Sequence, residues 1–131
     1  MSDTDVLAVA ERFFAAIPAG DRSVVDELYA DDAEVWHSVT NRTADRATAL
    51  AILDWLMAPS VSISYEVLER LVVKDRLSQR HALTVTVPGH EPLVMAVSIY
   101  LTIVDGRITR IDEYGDKEQS DQLVRLIPPH A

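Results

Sequence analysis

A chain of 131 residues, 48% of them hydrophobic, can enclose one sizeable core and is short for two, so a single domain over residues 1–131 is expected. The net charge of −9, with basic residues scattered rather than gathered into a stripe, argues against nucleic acid as a partner. No apolar run approaches the ~20 residues that span a bilayer, Asp3 and Asp5 stand where a signal peptide would be basic, and there is no cysteine; the expectation is a cytoplasmic protein without disulfides, thiolate metal sites or a cysteine nucleophile.

In chain order, Val6, Val9, Ala10, Phe13, Phe14 and Ile17 recur at helical spacing, and Pro18, Gly20 and Asp21 end that first helix. Asp21 or Ser23 can cap a second helix, with Val24, Val25, Leu28 and Tyr29 on its apolar face and its end at Asp31 and Asp32. A short strand over residues 33–38 and a polar loop follow. Thr43 and Asp45 can cap a third helix that buries Ala47, Leu50, Ala51, Leu53, Trp55 and Leu56 before Pro59. Residues 61–73, 77–87, 93–104 and 107–114 are rich in Val, Ile, Leu, Thr and Tyr and read as four strands. Their links are short: Lys74, Asp75 and Arg76, then residues 88–92, then Asp105 and Gly106. That spacing predicts an antiparallel meander. The chain closes on a tail of Pro128, Pro129, His130 and Ala131. Three helices and then a meander make an α+β order, in which a strongly curved antiparallel sheet wraps around the helices and encloses a pocket.

His37 is the first candidate for chemistry, because an imidazole titrates near neutrality. Strand alternation sets it with Ala33 and Val35, toward the apolar interior; the competing reading is a hydrogen-bonded core histidine. Glu113 shares a face with Thr109 and Ile111, and an acid turned into a pocket can act as a base or orient an imidazole, although near a strand end it can equally be solvated. Arg80 and His81 lie on opposite faces of one strand. Alternation groups His81 with Leu83, Val85 and Val87, which leaves a surface ion pair for Arg80. Trp36, Trp55, Tyr65, Met57 and Met95 serve as pocket wall or plain core. His37, His81, His90 and His130 are dispersed without a paired ligand spacing, the four glycines form no phosphate cradle, and no serine sits in a nucleophile elbow, so neither a metal nor a cofactor is expected.

Three segments carry a resemblance: FFAAIPAGD over residues 13–21, LYADDAEVWH over 28–37 and VDGRITRIDEYGD over 104–116. With the order of elements they resemble the nuclear transport factor 2-like superfamily and, within it, the SnoaL-like polyketide cyclase and ketosteroid isomerase branch. The resemblance implies a cone-shaped sheet and a homodimer through its outer face, and it specifies fold better than chemistry. Set against the ketosteroid isomerases, His37 takes the place of the general base, while Phe13 and Ile99 fall where two oxyanion donors would stand. Set against the limonene epoxide hydrolases, Arg80 and Glu113 match two members of a triad whose third acid is replaced by Ala82, with His37 and Val35 near the water-holding pair; that likeness turns Arg80 inward, against strand alternation, and leaves open which of Arg80 and His81 faces the cavity. SnoaL-like cyclases place an acid where Asp112 or Glu113 stands. These likenesses imply a cofactor-free acid/base isomerase, cyclase or hydrolase for a hydrophobic oxygenated substrate, with His37, Glu113 and Arg80 as site residues. The alternative they imply is a non-catalytic ligand-binding or dimerisation domain of the same fold.

Overall fold

A computed structural model describes residues 2–127, and the tail from Pro128 lies outside them. Helix α1, Asp3–Ala19, starts on a capping box that satisfies two end donors: Asp5 N–H donates to Ser2 Oγ at 3.2 Å and Ser2 N–H to Asp5 Oδ2 at 3.1 Å. It keeps Pro18 inside its last turn and ends on Gly20, whose φ of 69° is a left-handed cap that favours a residue without Cβ. Its buried stripe runs from Val6 through Phe13 and Phe14 to Ile17.

Helix α2, Arg22–Leu28, is capped by Asp21 and stops earlier than its apolar spacing suggests. Tyr29 already has strand geometry and opens β1, Tyr29–His37, so the expected extension to Asp31 and Asp32 is corrected. Tyr29 and Ala30 are buried while the two aspartates are exposed, and the Tyr29 ring packs 5.8 Å from that of Phe13. A short strand β2, Arg42–Ala44, replaces the expected loop and pairs back onto β1. Its turn is fastened by Trp36 Nε1, which donates to Asn41 Oδ1 at 3.1 Å.

Helix α3, Arg46–Leu56, takes Asp45 as its cap, with Thr48 N–H donating to the aspartate at 2.8 Å; Thr43 lies in β2 and caps nothing. Its buried face is Ala49, Leu50 and Leu56, while Ala47 and Ala51 are exposed. The meander follows as β3 Ser62–Val73, β4 Arg76–Thr86, β5 Leu93–Val104 and β6 Arg107–Tyr114. A fourth helix, α4 Lys117–Leu126, follows it; the sequence reading ended the fold at β6.

The six strands lie in the order β2-β1-β6-β5-β4-β3, and the sheet curls without closing. The meander is antiparallel throughout, but β1 lies parallel to β6, so the sheet is mixed at one junction. β1 enters between α2 and α3 and β6 ends the meander, so their pairing brings two segments distant in sequence side by side. Along β4 and β5 the concave face carries Leu77, Gln79, His81, Leu83, Met95, Val97, Ile99 and Leu101, all buried. Burying one large aliphatic side chain stabilises a fold by about 1.5–3 kcal/mol, which fixes this register against a one-residue slip.

One irregularity matters for the site. The β3–β4 register shifts between Val67 and Glu69, a β-bulge that hands the inward positions from Ile63 and Tyr65 to Arg70 and Val72. Arg70 thereby stands opposite Gln79.

Candidate functional site

The parallel pairing of β1 with β6 sets His37 directly beside Glu113. Main-chain bonds hold both: Ser38 N–H donates to Glu113 O at 2.9 Å, Asn41 N–H donates to His37 O at 2.9 Å, and Gly115 N–H donates to Ser38 Oγ at 3.1 Å. Their side chains approach to 3.9 Å between His37 Nε2 and Glu113 Oε2. That is beyond a direct hydrogen bond and within the span of one bridging water or substrate atom.

Both residues line an inner chamber of about 80 Å³, floored by the sheet and roofed by α1 and α3, with Phe13, Phe14, Tyr29 and Tyr65 in its wall. They also line an outer vestibule of about 310 Å³ framed by α3 and α4. Together these lie at the low end of the range for small-molecule sites. Trp55 and Met95 belong to the vestibule wall and Tyr65 to the inner chamber; Trp36 instead packs on Tyr114, with ring centroids 5.1 Å apart. Helix α4 is held at both ends: Ala96 N–H donates to Gln119 Oε1 at 2.9 Å, and Trp55 Nε1 donates to Ile127 O at 2.9 Å.

Burial pushes the Glu113 carboxyl above the ordinary carboxylate range, and the neighbouring His37 opposes part of that rise. About a third of the Glu113 side chain is still exposed, and this surface looks into the chamber and vestibule. Burial also raises the Tyr29 and Tyr65 phenols, with the Glu113 charge adding to both, so the two hydroxyls stay protonated in the chamber wall.

Arg80 is on the other side of the sheet. It is more than half exposed and faces Glu69 at 3.5 Å, so it is not brought to the cavity, and β4 alternation is the reason. The inward β4 positions on either side of Arg80 are Gln79 and His81, both nearly fully buried. Gln79 was not singled out by sequence; Arg70 Nε donates to its Oε1 at 2.6 Å, and its Nε2 lies 2.8 Å from His81 Nδ1. The His81 ring meets Phe14 and Tyr65 edge to face, at centroid distances of 5.7 and 4.9 Å. Burial, and secondarily the charge of Arg70, pushes the His81 imidazole down to about 4. Phe13 and Ile99, at the places of the isomerase oxyanion donors, are apolar cavity wall, and no inward β4 residue is an acid that could replace the one missing at Ala82. Among the described residues no cluster of His, Asp and Glu could hold a metal ion, and no helix is long and apolar enough to cross a membrane.

The SnoaL-like domain profile matches residues 10–111. The chain belongs to this family. The fold of this SnoaL-like protein is shared by an LEH-like epoxide hydrolase from M. tuberculosis, at 17% identity and a TM-score of 0.76, over 96% of this chain and 98% of the other. It is similar also to PrhC from Penicillium brasilianum, at 16% identity and a TM-score of 0.81, over 95% and 89% of the two chains. A nuclear transport factor 2-like protein from Burkholderia xenovorans aligns at 25% identity and a TM-score of 0.73, over 97% and 98%. At such identities the likeness concerns fold. No curated protein matches the sequence.

Proposed function

We propose that this SnoaL-like protein is a cofactor-free acid/base enzyme acting on a small hydrophobic substrate that carries an oxygen function, as an isomerase, cyclase or hydrolase. The observation that carries the reading is the His37–Glu113 pair, 3.9 Å apart on the wall of a mostly apolar chamber. A carboxyl raised by burial is a stronger base than an ordinary carboxylate, and an imidazole beside it supplies or receives the second proton. A substrate C–H or a water seated between the two groups would lose its proton to one of them, and the other would protonate the developing oxygen or leaving group. Arg80 takes no part in this reading, because it lies on the outer face.

A non-catalytic ligand-binding domain is the second reading. Phe13 and Ile99 favour it, since the isomerase resemblance calls for hydrogen-bond donors at both places. In either case we infer a homodimer through the outer face of the sheet, where Val94, Tyr100, Leu68 and Leu71 are exposed. The deciding experiment is turnover of a panel of hydrophobic ketones, lactones and epoxides by wild type, His37→Ala and Glu113→Gln. Turnover that both substitutions reduce by about 100-fold or more supports the enzyme. Binding without turnover supports the second reading.

A further inference from the structure

We infer that His81 is a hydrogen-bond donor neutral at physiological pH, aimed through Nε2 at an uncharged acceptor oxygen of the bound molecule: a carbonyl, lactone or epoxide oxygen. This rests on the reading of the chamber as a small-molecule site and adds the group that would recognise the oxygen.

The donor assignment follows from connectivity. Arg70 Nε can only donate, so the amide atom it meets at 2.6 Å must be the Gln79 oxygen. The other end of that amide, facing His81 Nδ1 at 2.8 Å, is then the NH2 group, which also only donates. His81 Nδ1 must therefore accept, and in a neutral ring the proton sits on Nε2. Protonating the ring would set an N–H of His81 against the Gln79 NH2, so the same contact that chooses the tautomer resists the charge. Depression of the imidazole to about 4 by burial and by Arg70 acts in the same direction.

The remaining nitrogen has nowhere else to bond. His81 is 3% exposed, yet among the described residues the sealed side-chain polar atom without a partner is Arg46 Nε; His81 Nε2 makes no protein hydrogen bond and its ring lines the inner chamber. The charged and titratable groups around it are Arg70, held behind Gln79, the Tyr65 phenol against the ring, and the His37–Glu113 pair on the same chamber wall. Gln79 pairs with Ile99 and Ile99 with Glu113, so β4 and β6 are separated by two strand spacings, about 9–10 Å between backbones. A small molecule lying between them meets a proton-transfer pair at one end and a neutral donor at the other. Glu113 on the shared wall disfavours an anionic ligand, which is why the oxygen is assigned as uncharged. Gln79 and Arg70 are positioning residues, the first turned inward by β4 alternation and the second by the β3 bulge.

The test is nitrogen-15 NMR of histidine-labelled protein with cyclohexanone as probe and methylenecyclohexane as its hydrocarbon control. In the wild type, His81 should show protonated Nε2 and bare Nδ1 from pH 5 to 8, and cyclohexanone should shift Nε2. The ratio of ketone to hydrocarbon affinity should fall about 3- to 10-fold in His81→Phe, the worth of one hydrogen bond. Gln79→Glu is the positioning test: its carboxylate can accept from both Arg70 and His81 Nδ1, so at pH 8 the tautomer should reverse and the affinity ratio should fall with it. A ring that carries its proton on Nδ1 in the wild type, or titrates near pH 6.5, overturns the proposal without any variant. A ketone that perturbs His37 but not His81 overturns the donor role and leaves the acid/base reading standing. A ketone that perturbs neither histidine overturns both.

Discussion

Two histidines line one chamber, and their neighbours give them opposite characters. His37 stands on β1 beside a carboxylate, with about a quarter of its side chain exposed where the inner chamber meets the vestibule. His81 stands on β4 beside a neutral amide that is itself pinned by an arginine, and it is nearly fully buried against the chamber. The first arrangement permits proton exchange with a partner and with solvent; the second fixes a tautomer and forbids charge. Residue type alone does not separate them, and what does is the identity of one cross-strand or same-strand neighbour.

The largest expected effect breaks the comparison at the His37 end. On any compound of the panel that turns over, His37→Ala and Glu113→Gln should each lower kcat/KM by about 100-fold or more, while Arg80→Ala stays within about 2-fold because its ion pair with Glu69 is on the outer face. Residual activity sharpens the assignment. An acid limb of the pH profile that survives Glu113→Gln gives the base to His37, and one that vanishes with it gives the base to Glu113.

Next comes the acid sensitivity of the His81 end. An imidazole whose folded value is depressed to about 4 binds its proton more readily in the unfolded chain, so the stability it contributes is present above about pH 6.5 and lost as pH falls toward 4. The loss is on the order of 3 kcal/mol. Urea unfolding of wild type and His81→Phe at both pH values should show the wild type losing more stability on acidification; equal losses would mean that the ring is not held neutral.

Glu113 should show the reverse sign. A raised carboxyl is protonated more readily in the folded state, so its burden on stability is absent at low pH and appears as pH rises through its folded value. Thermal unfolding should therefore show Glu113→Gln gaining on wild type from pH 4 to pH 8. A difference that shrinks with pH contradicts the burial of the carboxyl. The smallest effect concerns assembly: native mass measurement should report two chains, and Leu71→Glu on the outer face should shift the mass toward one without loss of fold, since Leu71 is 56% exposed in the single chain.

Much of the fold was legible because apolar alternation and short links are strong signals. β4 to β6 lie within a residue or two of their expected bounds, and His37 and Glu113 lie on the expected faces. The misses have physical causes. Tyr29 sits at a helical interval from Val25 yet belongs to a strand, because packing against Phe13 outweighed spacing. Helix α4 has only Leu123, Val124 and Leu126 as apolar residues in KEQSDQLVRL, all near its end, too few to announce a core-facing stripe; the available signal was Asp116 with Gln119 three positions on, and Gln119 N–H does donate to Asp116 at 3.0 Å. Arg80 was drawn inward by a family alignment one residue out of step with the pleat, whereas alternation alone turns His81 and Gln79 inward. Arg70 could not have been assigned from sequence, since its orientation depends on a bulge that no local pattern in ISYEVLER announces.

The most direct measurement is a carbon-13 NMR titration of the Glu113 side-chain carboxyl in wild type and in His37→Gln. The pair predicts a midpoint above that of a free glutamate, about 4.3, and a further rise once the imidazole that opposes it is removed. A carboxyl that titrates at the ordinary value and does not respond to loss of His37 would contradict a coupled proton-transfer pair in this chamber.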